Sequence, residues 1–328
     1  MLTYDLKVGY ACNNRCKHCV IDDSKDKLIR NKQSIDLTTE ECIHQIEYAS
    51  ENGAVNIVLT GGEVTIRKDF RQLINKCIDN KLSITVQTNG RLLSKSDLID
   101  AVKDVKDIRF VVALHGRSEE IHDEITQVNG SFSETCEGIR AMTSNGKLVI
   151  VKVVISKFNM SELPAIVKLS NDLGVRYICF AFPHGQGAAR KNFDDVIPRY
   201  KNLKPYLDET INEANKLHVN IEFEAVPFCI IPNCMQLVGE LKFYDGDTLC
   251  RQVNEEVFDW NEIRQEIKLK GPNCKMCDMN EFCEGPWSEY SEAFGFDELK
   301  PIKFSNREKV IVGLKKYLKS LPKIHELK

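Results

Sequence analysis

Cys12, Cys16 and Cys19 stand at the spacing CxxxCxxC directly behind a short apolar run, Asp5–Tyr10. Thiolates this close in sequence wrap a metal group without long-range help, so the first loop of the fold reads as a metal loop. Three thiolates can hold three irons of a four-iron cluster. No fourth cysteine follows nearby, which leaves one iron open to another ligand. Such a position is a reactive site and not only a structural staple. Zinc fits less well. It asks for a further ligand pair, and His18, lying between two close thiolates, would point away from both.

The other cysteines sharpen this reading. The chain has 328 residues and 13 cysteines, with a second tight group at Cys274, Cys277 and Cys283. A secreted disulfide scaffold would be shorter and would carry a signal sequence. None precedes Cys12, and no apolar run is long enough to span a bilayer. The expected compartment is the cytoplasm, where clustered cysteines favour metal. Cys42, Cys77, Cys136 and Cys179 read as small buried hydrophobes. A net charge of −3 gives no electrostatic footprint for nucleic acid.

Apolar runs at Asp5–Tyr10, Val55–Thr60, Ser83–Thr88, Ile108–Leu114, Leu148–Ile155 and Tyr177–Phe182 alternate with helical stretches. Their near-continuous hydrophobicity suits parallel strands buried on both faces. Thr38-Thr39-Glu40-Glu41 reads as a capping box whose helix closes at Gly53. Ser94–Asp97 and Ser161 offer further helix starts, and helical period runs over Asp195–Leu217. Six βα units imply right-handed crossovers and a partial (β/α)6 TIM-type barrel, an α/β fold with functional residues where strands end. After Leu217 the pattern changes. Val219–Phe228 reads as a further strand, Pro232–Lys270 has no clean period, and 271–296 is rich in Cys, Gly and aromatics. The expected division is a barrel over 1–217, a small metal-ordered unit over 218–299, and a basic tail over 300–328. In the tail Ile311, Leu314, Tyr317, Leu318 and Leu321 fall at helical spacing, as a closing helix with a solvated lysine face.

With these motifs the chain resembles the radical S-adenosylmethionine enzymes. Their CxxxCxxC motif often carries an aromatic residue where this chain has His18. Thr60-Gly61-Gly62-Glu63 stands where the family has its GGE motif, and Thr88-Asn89-Gly90 ends the third run as it does in relatives. The resemblance implies that Cys12, Cys16 and Cys19 hold a 4Fe-4S cluster whose open iron is chelated by S-adenosylmethionine. It implies that Gly61 and Gly62 admit the methionine part and that Glu63 bonds its amino group. Reduction then yields methionine and a 5′-deoxyadenosyl radical that removes hydrogen from an unactivated carbon. Asn89, His115 in Ala113-Leu114-His115-Gly116, and Asn159 are further expected cofactor contacts. For His115 and Asn159, a turn or a helix cap is the competing reading. Pro183-His184-Gly185-Gln186-Gly187 resembles the loop whose backbone holds adenine.

CxxCx5C at Cys274, Cys277 and Cys283 resembles the auxiliary iron–sulfur domain of SPASM and twitch enzymes. Trp287 stands where the full SPASM pattern has another cysteine, so one auxiliary 4Fe-4S cluster is expected. Its fourth ligand is Cys229, Cys250 or Cys234, with Cys229 preferred. A structural zinc knuckle is the competing reading. The function expected is hydrogen abstraction from a ribosomally made precursor peptide. The alternatives are a twitch-type small-molecule dehydrogenase or cofactor-building enzyme, and a non-catalytic metal-binding protein. The first run begins within ten residues of the start, which counts against a separate N-terminal peptide-binding unit. A flavodoxin or ferredoxin is the expected electron donor, with no nucleic-acid or membrane partner. Cys179, Glu222 and Glu224 are candidates for a base or hydrogen donor, against core and strand-face roles.

Overall fold

The computed structural model describes residues 2–243 and 246–320. Its strands are β1 (Leu2–Gly9), β2 (Ala54–Gly61), β3 (Ser83–Thr88), β4 (Ile108–Ala113), β5 (Leu148–Val154), β6 (Tyr177–Ala181), β7 (Asn220–Glu224), β8 (Asp247–Arg251) and β9 (Phe258–Asp259). They form one sheet in the order β7-β6-β5-β4-β3-β2-β1-β8-β9. Every pairing is parallel except β8 with β9. From β1 to β7 each new strand is added to the same edge. Right-handed crossovers then put all the intervening helices on one face, and the twisted sheet curls around the other. The curl brings distant loops together. Ala188 N, after β6, donates to Cys19 O, after β1, at 2.8 Å, although four strands lie between.

The two faces differ. On β1, Tyr4, Leu6 and Val8 are buried, while Thr3, Asp5 and Lys7 between them are half-buried. The register sets Lys152, Cys179 and Glu222 side by side on neighbouring strands. The concave face is therefore a polar lumen, which departs from the expectation of strands apolar on both sides. A partial barrel does not close on itself, so its inner face need not be filled by hydrocarbon.

Local chemistry explains the element boundaries. The helix Thr39–Glu51 carries the expected capping box, with Thr38 and Glu41 exchanging side-chain and backbone bonds. The helix expected over Asp195–Leu217 is split into Phe193–Val196 and Tyr200–Leu217, because Pro198 forces the residue before it, Ile197, into extended geometry. The strand expected over Val219–Phe228 stops at Glu224, since Ala225 takes a φ of 57°. Ser161 caps nothing: the helix Leu163–Asp172 has Glu162 at its N-cap and a proline in its first turn. The stretch without clean period holds β8, β9 and the helix Trp260–Ile267. β8 adds to the edge beside β1, so residues beyond 218 extend the sheet at both ends. The tail forms the helix Arg307–Ser320, with Ile311 and Leu314 packed on the core; Leu321 lies outside the described residues. Among the described residues no helix is long and apolar enough to cross a membrane.

Phe110 on β4 is fully buried between sheet and helices. Phe110→Ala is expected to cost about 3–5 kcal/mol of stability, read as a lowered urea midpoint.

Candidate functional site

The first site is a loop held from several directions. Tyr10 N and Ala11 N both donate to Asp36 Oδ1, at 2.9 and 3.0 Å. Further on, Arg15 N and Lys17 N donate to Thr126 O and Ile125 O. Arg91 Nη1 donates to Asn13 O (2.6 Å) and Asn14 Oδ1 (2.9 Å). Asn89 Nδ2 reaches Asn13 Oδ1 at 2.6 Å. Cys12 Sγ accepts from Asn14 N at 3.3 Å. Burial raises the thiols of Cys12 and Cys16, and that of Cys19 to about 11; at Cys16 the neighbouring Cys19 and Cys12 add to the effect. The three sulfurs thus sense one another, and metal entering here must displace their protons. An all-sulfur donor set with a backbone N–H on one sulfur suits an iron–sulfur cluster. Arg91 was not singled out from sequence, although its place directly after Thr88-Asn89-Gly90 was a usable signal.

Gly61 and Gly62 lie against this loop. A Cβ on Gly61, at φ 125°, would stand 2.2 Å from Gly9 O, and one on Gly62 would stand 2.1 Å from Ala11 O. Only glycine lets these backbones meet, and the contact carries bonds from Gly62 N to Gly9 O and from Glu63 N to Ala11 O, both 2.8 Å. The Glu63 carboxylate is buried. Its Oε1 accepts from Thr65 N (3.0 Å), Thr65 Oγ1 (2.5 Å) and Thr88 Oγ1 (2.6 Å). Its Oε2 accepts from Asn89 N at 2.6 Å and keeps capacity for one further donor.

A group of histidines packs beneath the cysteine loop. His18 meets His115 edge-on at 4.5 Å between centroids, and His115 stacks on His122 at 5.8 Å. His122 Nδ1 accepts from His115 N at 3.1 Å, and His115 Nδ1 from Val154 N at 3.3 Å. Burial keeps the imidazoles neutral. It lowers His18 and His122 to about 4, and His115 falls well below 6.5. Sequence reasoning missed His122, seven residues beyond His115. Asn159, an expected cofactor contact, bonds to its own turn and to the loop after β4. Its Oδ1 accepts from Ser156 N and Oγ, and its Nδ2 donates to His115 O and Val154 O. The side-chain amide thus uses both its oxygen and its nitrogen within the chain.

At the second site Cys229, Cys274, Cys277 and Cys283 line one cavity, closed by Met279 and Leu299. Ile302 N donates to Cys277 Sγ at 3.3 Å. Burial and then neighbouring cysteines raise Cys229 to about 12, and burial raises Cys283 to about 11. The nearby backbone of Lys300 works against the rise at Cys229, as that of Gly285 and Phe228 does at Cys283. Four cysteines lining one cavity, with backbone around their sulfurs, fit a fully cysteine-ligated cluster. Cys250 lies elsewhere, on β8 opposite Asp5 of β1. Cys234 precedes the 3-10 turn Met235–Leu237 and does not line the cavity. In the lumen, ligand atoms of Cys179, Glu222 and Glu224 lie within 4.8 Å of one another, and Lys152 Nζ is 2.7 Å from Glu224 Oε2.

The family model described as the Radical SAM superfamily matches residues 6–170, half of the chain. Over 224 residues the chain is 24% identical to the antilisterial bacteriocin subtilosin biosynthesis protein AlbA of Bacillus subtilis, covering 66% of this chain and 48% of AlbA. Over 302 residues it is 29% identical to a probable GTP 3′,8-cyclase of Saccharolobus islandicus, covering 87% of this chain and 88% of that one. It spans 46–59% of the length of other curated relatives, among them AdoMet-dependent heme synthases. SuiB of Streptococcus suis bound to precursor peptide SuiA shares the fold, with a TM-score of 0.63 at 15% identity, covering 92% of this chain and 75% of SuiB.

Two outcomes are expected. The unfolded imidazole titrates at 6.5 and His122 in the fold at about 4, so the unfolded state takes up protons first as pH falls. The metal-free chain keeps this stability above about pH 6.5 and loses it toward pH 4. Urea midpoints across that range should show the loss, and His122→Gln should flatten it. In reconstituted protein, Cys229→Ala should lower bound iron and sulfide by about one cluster while Cys250→Ala leaves both unchanged.

Proposed function

Because the chain belongs to the radical SAM superfamily, we propose that it is an enzyme that removes a hydrogen atom from a ribosomally made precursor peptide. The cysteine loop, bonded to the Gly61-Gly62-Glu63 turn and to Asn89, is the observation that carries the reading. Cys12, Cys16 and Cys19 would hold a 4Fe-4S cluster, with S-adenosylmethionine on the remaining iron. When bound and reduced, this pair supplies a carbon radical able to attack an unactivated C–H bond. Gly62 lets the backbone approach the methionine part, and the remaining acceptor capacity of Glu63 suits its ammonium. The neutral histidines keep competing charge away from the loop. The polar lumen, with Lys152, Cys179, Glu222 and Glu224, orients substrate and handles protons.

Cys229, Cys274, Cys277 and Cys283 would hold a single auxiliary 4Fe-4S cluster. Four protein ligands leave it no open iron, so its role is electron transfer and not substrate chelation. For function the chain divides into a region over 1–217 that carries the first cysteine site, an auxiliary unit over 218–299 whose β7, β8 and β9 continue the same sheet, and a basic tail over 300–328. A flavodoxin or ferredoxin in the cytoplasm supplies electrons.

Support for a peptide comes from AlbA, a bacteriocin biosynthesis protein, and from SuiB, which was solved with a precursor peptide. A small-molecule substrate is the second reading. It is favoured by the probable GTP 3′,8-cyclase, whose match covers 87% of this chain.

Anaerobic reconstitution followed by S-adenosylmethionine and dithionite should yield 5′-deoxyadenosine, and Cys16→Ala should yield none. Absence of the nucleoside from the iron-replete wild type sinks the enzyme reading. Co-expression with a short peptide encoded beside the gene should change that peptide's mass. An unmodified peptide together with turnover of GTP would favour the second reading.

A further inference from the structure

The loop after β6 is gripped from both cysteine sites. On one side Ala188 N donates to Cys19 O (2.8 Å), Asn192 Nδ2 to Lys17 O (3.2 Å) and Gly187 N to Asp23 Oδ2 (3.1 Å). The approach is close enough that a Cβ on Gly187 would stand 2.3 Å from Cys19 O. On the other side, the segment leaving Cys283 turns back onto the same loop. Trp287 Nε1 donates to Phe182 O at 3.2 Å, and its ring packs on His184 with centroids 4.1 Å apart. Glu289 backs Gly185 and lies 3.4 Å from His184 Nδ1.

Trp287 is itself tightly fixed. The Lys268 ammonium sits over its ring at 4.6 Å, and the two residues form a backbone bridge. Lys268 is almost wholly buried and pairs with Glu240 and Glu284, each at 2.7 Å. Glu284 directly follows Cys283 and also meets Arg264 at 2.9 Å. A metal-ligating cysteine and an anchored indole are thus four residues apart on one short connector. Between Pro272–Met276 and Ser288–Phe294 the chain has no regular helix or strand. Order in such a segment is linked to its metal.

We propose that Trp287 is a positioning residue that couples the two sites. When the four-cysteine cavity holds its metal, Trp287 clamps His184 and the 183–188 loop against Cys19, in the arrangement that accepts S-adenosylmethionine. The inference rests on the function proposed above. Linkage makes the coupling reciprocal: S-adenosylmethionine at the first site tightens metal at the second.

The test uses the full chain, reconstituted anaerobically, with iron and sulfide counted and thermal melts recorded. S-adenosylmethionine is titrated against the electron paramagnetic resonance signal of the reduced N-terminal cluster. Trp287→Leu is expected to weaken binding about two- to thirty-fold with metal content unchanged. A Cys274→Ala/Cys277→Ala chain should show a similar loss, and adding Trp287→Leu to it should cost little more. Wild-type affinity in Trp287→Leu, or losses that simply multiply in the combined chain, overturns the proposal. If Trp287→Leu loses metal or melts early, the decision passes to Trp287→Phe, which keeps the ring contact and lacks the N–H donor, and to His184→Leu. Wild-type affinity in both overturns it equally. A wild type whose signal ignores S-adenosylmethionine refutes the underlying function instead.

Discussion

A buried carboxylate at the mouth of the barrel holds three loops together. Glu63 takes hydrogen bonds from Thr65, Thr88 and Asn89, while its own N–H reaches Ala11 on the cysteine loop. Burying a carboxylate is costly unless its lone pairs are used. Here the ends of β2 and β3 supply the donors, so the group that would greet the ligand also fixes the frame around it. Asn89 and Arg91 continue the same network into the cysteine loop. Loss of one member therefore reaches the others.

A second charged knot joins the C-terminal segments to the barrel. Lys268, Glu240, Glu284 and Arg264 neutralise one another out of water, and Glu240 Oε1 also accepts from Ala225 N at 2.6 Å, just past β7. Pairs of this kind add little net stability but are expensive to break singly, and they fix relative orientation. The second cysteine group is thereby held in register with the strand ends and does not hang from a linker. β7 and β8, at opposite sides of the curled sheet, complete the same frame.

Much of this was legible in the chain. The first six strands have apolar runs that match observed elements within a few residues, because each is a local string of β-branched and apolar side chains bounded by turn residues. The capping box at Thr38 was readable for the same reason: its bonds span three residues. β8 was not. Asp247-Thr248-Leu249-Cys250-Arg251 is short and polar, and it is a strand because β1 offers it an edge. The role of Asn159 was hidden too, since its partners include His115 O, 44 residues away.

Local spacing alone determined the two cysteine groups, the glycine turn at 61–62 and the succession of βα units. Each of these depends on residues that are neighbours in the chain. Which distant cysteine joins Cys274, Cys277 and Cys283, that His18, His115 and His122 share one pocket, and that Trp287 rests on the loop behind Cys19 were decided only by the tertiary fold. Those encounters arise from the curl of a parallel sheet and the docking of its last segments, and no short window of sequence encodes the distance between groups so far apart along the chain.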